Sequence, residues 1–335
     1  MAASNQKTIV VIGATGNQGG SVARTFLGLP HWKVRAVTRN PSSPAAQTLA
    51  SSGAEVVQGD LSDIGSLSPA FQDANAIFLN TDFWETYKAL AAKLMADGAK
   101  LEGQPDPSEI ALQTEVSYGK NAAQAAARVP TLERLVYSAF PSMKKLTGGK
   151  YHSNHWESKA AVAEYIETEL PDLAKKTSYV YLGAYNTNAF LAPTLDPSDG
   201  QYKYITPLAT TSRMPIIDPT KTTGVLVRAL VEDEEAGMKL FAYDTDSYLT
   251  VQEICDIWSR ASGREASIVN ATVQFLHEKF GVPMEVLEAV PALNEFGYTG
   301  SLKFTEPSDL KTKVKSTPYE EWMKGRDWNA ILKAK

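Results

Sequence analysis

Lys7-Thr8-Ile9-Val10-Val11-Ile12-Gly13-Ala14-Thr15-Gly16-Asn17-Gln18-Gly19-Gly20 is the stretch on which the fold turns. A run rich in β-branched residues ends in a G-x-x-G-x-x-G pattern, and that pattern opens a helical run. Each glycine has a separate physical task. Gly13 permits a tight strand-to-helix turn, Gly16 lets the backbone approach a pyrophosphate, and Gly19 lets the helix lie close to the strand. The unpaired N–H groups at the helix start then favour an anion. A glycine pattern alone is weak evidence; its place after a first strand and before a first helix is what gives it weight.

Outward from this turn, strand-like runs alternate with helical ones. Lys33 to Thr38, Ala54 to Gln58, Asn75 to Asn80, Arg134 to Ser138 and Ser178 to Leu182 read as strands. Gly19 to Leu29, Pro44 to Ser52, Ile64 to Phe71, Ser108 to Arg128 and Tyr151 to Glu169 read as helices. The alternation predicts an α/β fold, a Rossmann-type doubly wound parallel sheet. After Leu182, prolines at 193, 197, 207, 215 and 219 break the chain into short pieces. The expected division is a dinucleotide-binding domain over 1–182 and a smaller α/β lobe over 183–335, interleaved because a strand near 237–243 returns to the main sheet. The acidic, Gly- and Pro-punctuated segment 97–109 reads either as a solvated loop or as a lid over the ligand crevice.

Composition narrows the function. The chain has 335 residues, enough for about two domains at roughly 150 residues each. Charged residues make up 21%, of both signs, with a net charge of -5. No basic stripe is present to neutralise phosphates, so small molecules or protein partners are expected and nucleic acid is not. No apolar run approaches the ~20 residues of a membrane span, and no signal-peptide pattern precedes the first strand, which points to the cytoplasm or nucleus. A single cysteine, Cys255, excludes an intrachain disulfide, and four scattered histidines give no metal-ligand spacing. Cys255 stands in an apolar helical run and reads as packing.

The second strand ends in Thr38-Arg39-Asn40-Pro41, about twenty residues past the glycine turn. An acid there would bind a ribose 2′-hydroxyl; a guanidinium binds a 2′-phosphate, so NADP(H) is favoured over NAD(H). Asp60, ending the third strand, is placed to accept from the adenine amino group or to cap the next helix.

These residues carry a family likeness. Gly13 to Gly20, Val34 to Pro41, Gly53 to Asp60, the Thr81-Asp82-Phe83-Trp84-Glu85 loop and Lys144 to Ile166 resemble the NmrA-like proteins, atypical short-chain dehydrogenase/reductases. The motifs stand closest to the family's NADPH-sensing branch and to its fungal oxidoreductases. The likeness is dense over about the first 190 residues and looser beyond. It implies NADP(H) held by Gly13, Ala14, Thr15, Gly16, Asn17, Gln18 and Gly19, by Arg39, by Asp60 and Leu61, and by Thr81, Asp82 and Phe83. Lys159, Tyr185, Asn186 and Asn188 would face the nicotinamide. Relatives often carry further basic residues after the Arg-Asn-Pro, whereas Ser42 and Ser43 stand here, so Arg39 would act with little help.

Classical members of the superfamily use a Ser with a Tyr-x-x-x-Lys pair. Here Ser138 ends the fifth strand, and His155 occupies the position of the Tyr, four residues before Lys159. His155 and Lys159 share a helix face, with Tyr151 one turn earlier. An imidazole serves as general acid or base near neutrality, so His155, Tyr151, Ser138 and Lys159 are the candidate catalytic set. Phe83, Trp84, Tyr87, Trp156 and Tyr185 line a flat apolar pocket or simply pack. Two functions follow: an NADP(H)-dependent oxidoreductase acting on a hydrophobic small molecule in secondary metabolism, or a non-catalytic NADP(H) redox sensor and regulator working through protein partners.

Overall fold

In the computed structural model, which describes residues 6–96 and 106–333, the opening run forms β1 (Lys7–Ile12) and the glycine turn leads into α1 (Asn17–Leu27). There follow β2 (Trp32–Thr38), α2 (Pro44–Ser51), β3 (Glu55–Gln58), α3 (Ile64–Phe71), β4 (Ala76–Leu79), α4 (Phe83–Ala96) and α5 (Pro107–Ala127). Next come β5 (Arg134–Ala139), α6 (Met143–Leu146), α7 (Asn154–Glu169), α8 (Pro171–Ala174) and β6 (Thr177–Leu182). The remainder holds β7 (Ala184–Tyr185), β8 (Thr194–Leu195), β9 (Tyr202–Thr206), β10 (Arg213–Ile217), α9 (Thr222–Glu232), β11 (Lys239–Ala242), β12 (Tyr248–Thr250), α10 (Val251–Ser262) and β13 (Ala266–Asn270). It closes with α11 (Val273–Phe280), α12 (Met284–Leu287), α13 (Ala289–Phe296), α14 (Tyr319–Lys324) and α15 (Trp328–Lys333).

The main sheet has the order β3-β2-β1-β4-β5-β6-β11, all parallel. Helices cover both faces, which is why β1 is apolar without alternation. Ile9 and Val11 face one core with Val22, Phe26, Leu226 and Leu230 from α1 and α9. Val10 and Ile12 face the other, with Leu67, Phe71, Val162 and Ile166 from α3 and α7. The Rossmann-type doubly wound fold is therefore present, with β11 as a seventh strand.

Both α9 and β11 return from the stretch after residue 182, as does Leu310, which is buried in the first of these cores. Two three-stranded sheets, β12-β10-β7 and β13-β9-β8, build the smaller lobe. Its core gathers Met214, Ile216, Trp258 and Tyr319 with Cys255, whose thiol burial pushes up to about 11. Among the described residues no helix is long and apolar enough to cross a membrane.

Two local features differ from the sequence reading. The helix expected from Tyr151 begins at Asn154, because the preceding chain is extended at Ser153 (φ −152°) and the Tyr151 amide donates to Thr147 Oγ1 at 3.0 Å. Tyr151 is thus not a helical neighbour of His155. Of the segment 97–109, residues 97–105 lie outside the described residues, while Asp106 caps α5 by accepting from the Ser108 amide at 2.9 Å.

Candidate dinucleotide and acid–base site

The candidate residues follow the C-terminal ends of successive parallel strands: Asp60 after β3, Arg39 after β2, Gly13 after β1, Thr81 after β4 and Tyr185 beyond β6. In an open sheet of this kind the ligand crevice lies there, at the point where the strand order reverses between β1 and β4.

The glycine turn is built as its sequence requires. Gly13 has φ +68°, and a Cβ on Gly19 would stand 2.3 Å from the Gly13 carbonyl oxygen. Gly16 caps α1 with no side-chain hydrogen bond to the first turn. The first amides of the helix are therefore left for an anion, beside the exposed Thr15 and Asn17. Ala14 is buried beneath the turn. Gln18 is buried too; its Nε2 donates to the Tyr185 hydroxyl at 2.7 Å, while its Oε1 is buried without a partner.

On the β2–β3 side Arg39 is exposed and ion-paired with Glu85 of α4 at 2.7 Å, which holds the guanidinium above its ordinary range. Ser43 caps α2 through the Ala46 amide, and the Ser42 amide donates to Asn40 Oδ1, so both serines shape the turn. The Asp60 carboxylate accepts from the Ser62 amide at 2.8 Å and its hydroxyl at 2.7 Å, which lowers its pKa. The helix cap next to it is Asp63, not Asp60. The Leu61 carbonyl accepts from Asn121.

Beyond β4, Asp82 caps α4 by accepting from the Trp84 amide, and Phe83 is buried. Lys159, one turn along α7, donates to the Thr81 carbonyl at 2.7 Å, to Thr81 Oγ1 at 3.1 Å and to Glu115 Oε1 at 2.7 Å. The ammonium has three hydrogens, and all three are engaged. The bond to Thr81 Oγ1 is the longest of the three. Glu115 is buried and also accepts from Ser158.

His155 lies in a ring of aromatic side chains, its centroid 5.0 Å from Trp84, 6.0 Å from Phe83 and 6.1 Å from Phe140. Trp156 stacks on Phe140, and Tyr87 stacks on Phe83. His155 Nδ1 stands 2.8 Å from Oε1 of Glu285, a buried residue of α12. Tyr151 is turned away, donating from its hydroxyl to Glu295 at 3.0 Å. Ser138 is buried within β5. Asn186 is buried, its amide donating to Ile217, and the Asn188 amide donates to Tyr185.

Glu85, Glu115, Phe140 and Glu285 were not singled out by sequence reasoning. Glu115 had a signal: it shares one buried face of α5 with Ala111, Gly119 and Ala122, where a lone acid demands a partner. Glu285 had none, since its partner is 130 residues away.

The NmrA-like family model matches residues 5–323. An NmrA-like family domain-containing oxidoreductase of Aspergillus hancockii is 28% identical over 319 residues, covering 91% of this chain and 88% of its own. A structure of Nmra, a negative transcriptional regulator, in complex with NAD superposes with TM-score 0.71 at 21% identity over 98% of each chain. Its complex with NADP gives 0.69 at 22% identity, over 97% of this chain and 99% of that one.

Proposed function

The chain belongs to the NmrA-like family, and from that premise we propose that it is an NADP(H)-dependent oxidoreductase reducing a hydrophobic, flat small molecule, with a place in secondary metabolism. The observation that carries the reading is His155, held within an aromatic ring set on the same helix as Lys159, where the strands β4 to β6 end. The relatives named as oxidoreductases support the reaction class. The neighbour solved with NAD and with NADP supports a nicotinamide dinucleotide, and Arg39 favours the phosphorylated form.

The residues present fit the cofactor: free amides at α1 for the pyrophosphate, Arg39 for the 2′-phosphate, Asp60 for the adenine side and Gln18, Tyr185 and Thr81 toward the nicotinamide. When bound, the cofactor supplies a hydride. The chain supplies the proton: His155 donates from its second ring nitrogen to the substrate oxygen, and the aromatic walls exclude water. The test mixes purified protein with NADPH and a panel of aromatic carbonyls, enones and imines. Loss of the reduced-nicotinamide absorbance with at least one of them is expected. NADPH binding without any such loss removes the reading.

One observation favours a second reading. With all three Lys159 hydrogens engaged by Thr81 and Glu115, and no tyrosine at position 155, the site is also suited to hold NADP(H) without turnover, as a redox sensor acting on a regulatory protein partner. That reading requires molecular size or partner capture to differ between NADPH, NADP and no cofactor. Equal behaviour in all three ends it.

A further inference from the structure

The contact between His155 and Glu285 joins two parts of the chain that sequence keeps apart, the first turn of α7 and the short helix α12. One carboxylate oxygen does all the work there. Glu285 Oε1 accepts from the His155 amide at 2.7 Å and from the Ser153 hydroxyl at 2.9 Å, and stands 2.8 Å from His155 Nδ1. Ser153 Oγ is itself 2.8 Å from that nitrogen. The carboxylate side chain is 2% exposed and the imidazole 13%. The other oxygen, Oε2, is buried without a partner, so Glu285 is held by this cluster through Oε1.

The donor inventory decides the tautomer. An ionised carboxylate only accepts, so the Nδ1 that faces it carries hydrogen, and the exchangeable position of the ring is Nε2. The ring is gripped along its Nδ1 edge and walled by Trp84, Phe83 and Phe140 around it. This is the same arrangement that lets a buried acid orient a histidine for proton transfer in hydrolases, reached here on an unrelated framework.

We infer that Glu285 is a positioning residue: it fixes the neutral His155 ring as the Nδ1–H tautomer and leaves Nε2 as the edge free for proton transfer, so that the smaller lobe completes the acid–base group of the larger. The inference rests on the oxidoreductase reading for the use of that group. In the reductive direction His155 reacts as the imidazolium, with hydrogen on both ring nitrogens: its Nε2–H bond breaks and that proton forms an O–H bond on the substrate oxygen as hydride reaches the adjacent carbon, leaving the neutral Nδ1–H ring. The substrate is reduced, the nicotinamide is oxidised, and the neutral imidazole recovers its proton at Nε2 from solvent.

Two substitutions separate this from a merely structural tie between lobes. Glu285→Met keeps the volume and removes the acceptor; Glu285→Gln keeps an acceptor oxygen and removes the charge. With four histidines in the chain, nitrogen-15 labelling and a His155→Asn reference spectrum assign the ring. At a pH where the ring is neutral, wild type and Glu285→Gln are expected to show Nδ1–H, and Glu285→Met to lose that preference. NADPH affinity, read by quenching of tryptophan fluorescence, stays within about twofold in both. On the substrate returned by the carbonyl panel, kcat falls at least tenfold in Glu285→Met with KM within about twofold, and Glu285→Gln recovers part of it. An Nε2–H tautomer in the wild-type spectrum overturns the inference even if both variants fail to fold. So does an unchanged tautomer in Glu285→Met, or an unchanged kcat once the tautomer has changed. If wild type binds NADPH and turns over nothing, the oxidoreductase reading falls and the kinetic claim with it, while the spectra still decide whether Glu285 sets the ring.

Discussion

Arg39 is an arginine with two claimants. In the structure its guanidinium is paired with Glu85, and in the proposed complex it must face a 2′-phosphate. Both side chains are more than half exposed, so the pair itself is weak, but a dinucleotide phosphate has to compete with it. Glu85→Gln should therefore tighten NADPH about two- to fivefold and leave NADH nearly unchanged, the range that an exposed pair of this kind commands. Arg39→Asp should do the reverse, weakening NADPH far more than NADH. Titrations of both nucleotides against both variants check this, and an unaltered NADPH-to-NADH ratio in each would show that Arg39 does not read the phosphate. The arginine and the glycines were legible in the sequence because their roles are local: a positive φ at Gly13 and a blocked Cβ at Gly19 depend on neighbours within six residues. Glu85 stands within the motif Thr81 to Glu85, but its partner Arg39 follows a different strand, and the motif carries no record of that contact.

At the scale of elements, strands and helices followed from periodicity because burial on both faces leaves an apolar record along the chain. What periodicity does not record is how closely two helices cross. The α1–α9 crossing is set by Gly224, whose amide donates to Ser21 Oγ at 2.9 Å. A Cβ there would stand 2.2 Å from Thr25 Oγ1 and 2.3 Å from the Ser21 carbonyl oxygen. The Ser21 oxygen cannot yield cheaply, since it is backbone. Gly224→Ala should consequently destabilise the protein by about 1–3 kcal/mol, the usual cost of overpacking, despite alanine's better helix propensity. Urea unfolding measures it; a variant as stable as wild type would mean that α9 shifts freely on α1. Because α1 also carries the glycine turn, the same variant should weaken NADPH binding. The late start of α7 is a related case: the pattern of residues from Tyr151 suits a helix, but the Ser153 hydroxyl is drawn to Glu285 and the chain stays extended until Asn154.

For the molecule as a whole, the junction between lobes is polar and buried, and it is the part that sequence left unread. Asp244 follows β11 at the point where the main sheet hands the chain back to the smaller lobe. Its Oδ2 accepts from the Asp218 amide at 2.7 Å and its Oδ1 from the Thr222 hydroxyl at 2.5 Å, tying the end of β10 and the start of α9 to the exit of β11. Nothing in the run Phe241 to Asp246 distinguishes this acid from a surface one; only the fold buries it. Burial, with Asp218 nearby, raises its pKa from 3.8 to about 6 in spite of the two hydrogen bonds. A folded-state pKa above the unfolded value means that folding binds the proton more tightly. The stability this acid contributes is then fully present below about pH 4 and is lost as pH rises through about 6. A shift of this size corresponds to roughly 2–3 kcal/mol between those limits. Asp244→Asn removes the titration and keeps a side-chain oxygen for one of the two donors, so at pH 4 it should be the less stable protein or equal to wild type. As pH rises to 7 the difference should move in the variant's favour by an amount of that order. Urea unfolding of both proteins at several pH values across this window gives the difference directly, with the other carboxylates cancelling. A difference that stays flat from pH 4 to 7 would mean that Asp244 is as well solvated folded as unfolded, and the lobes would then be joined by something other than this buried acid.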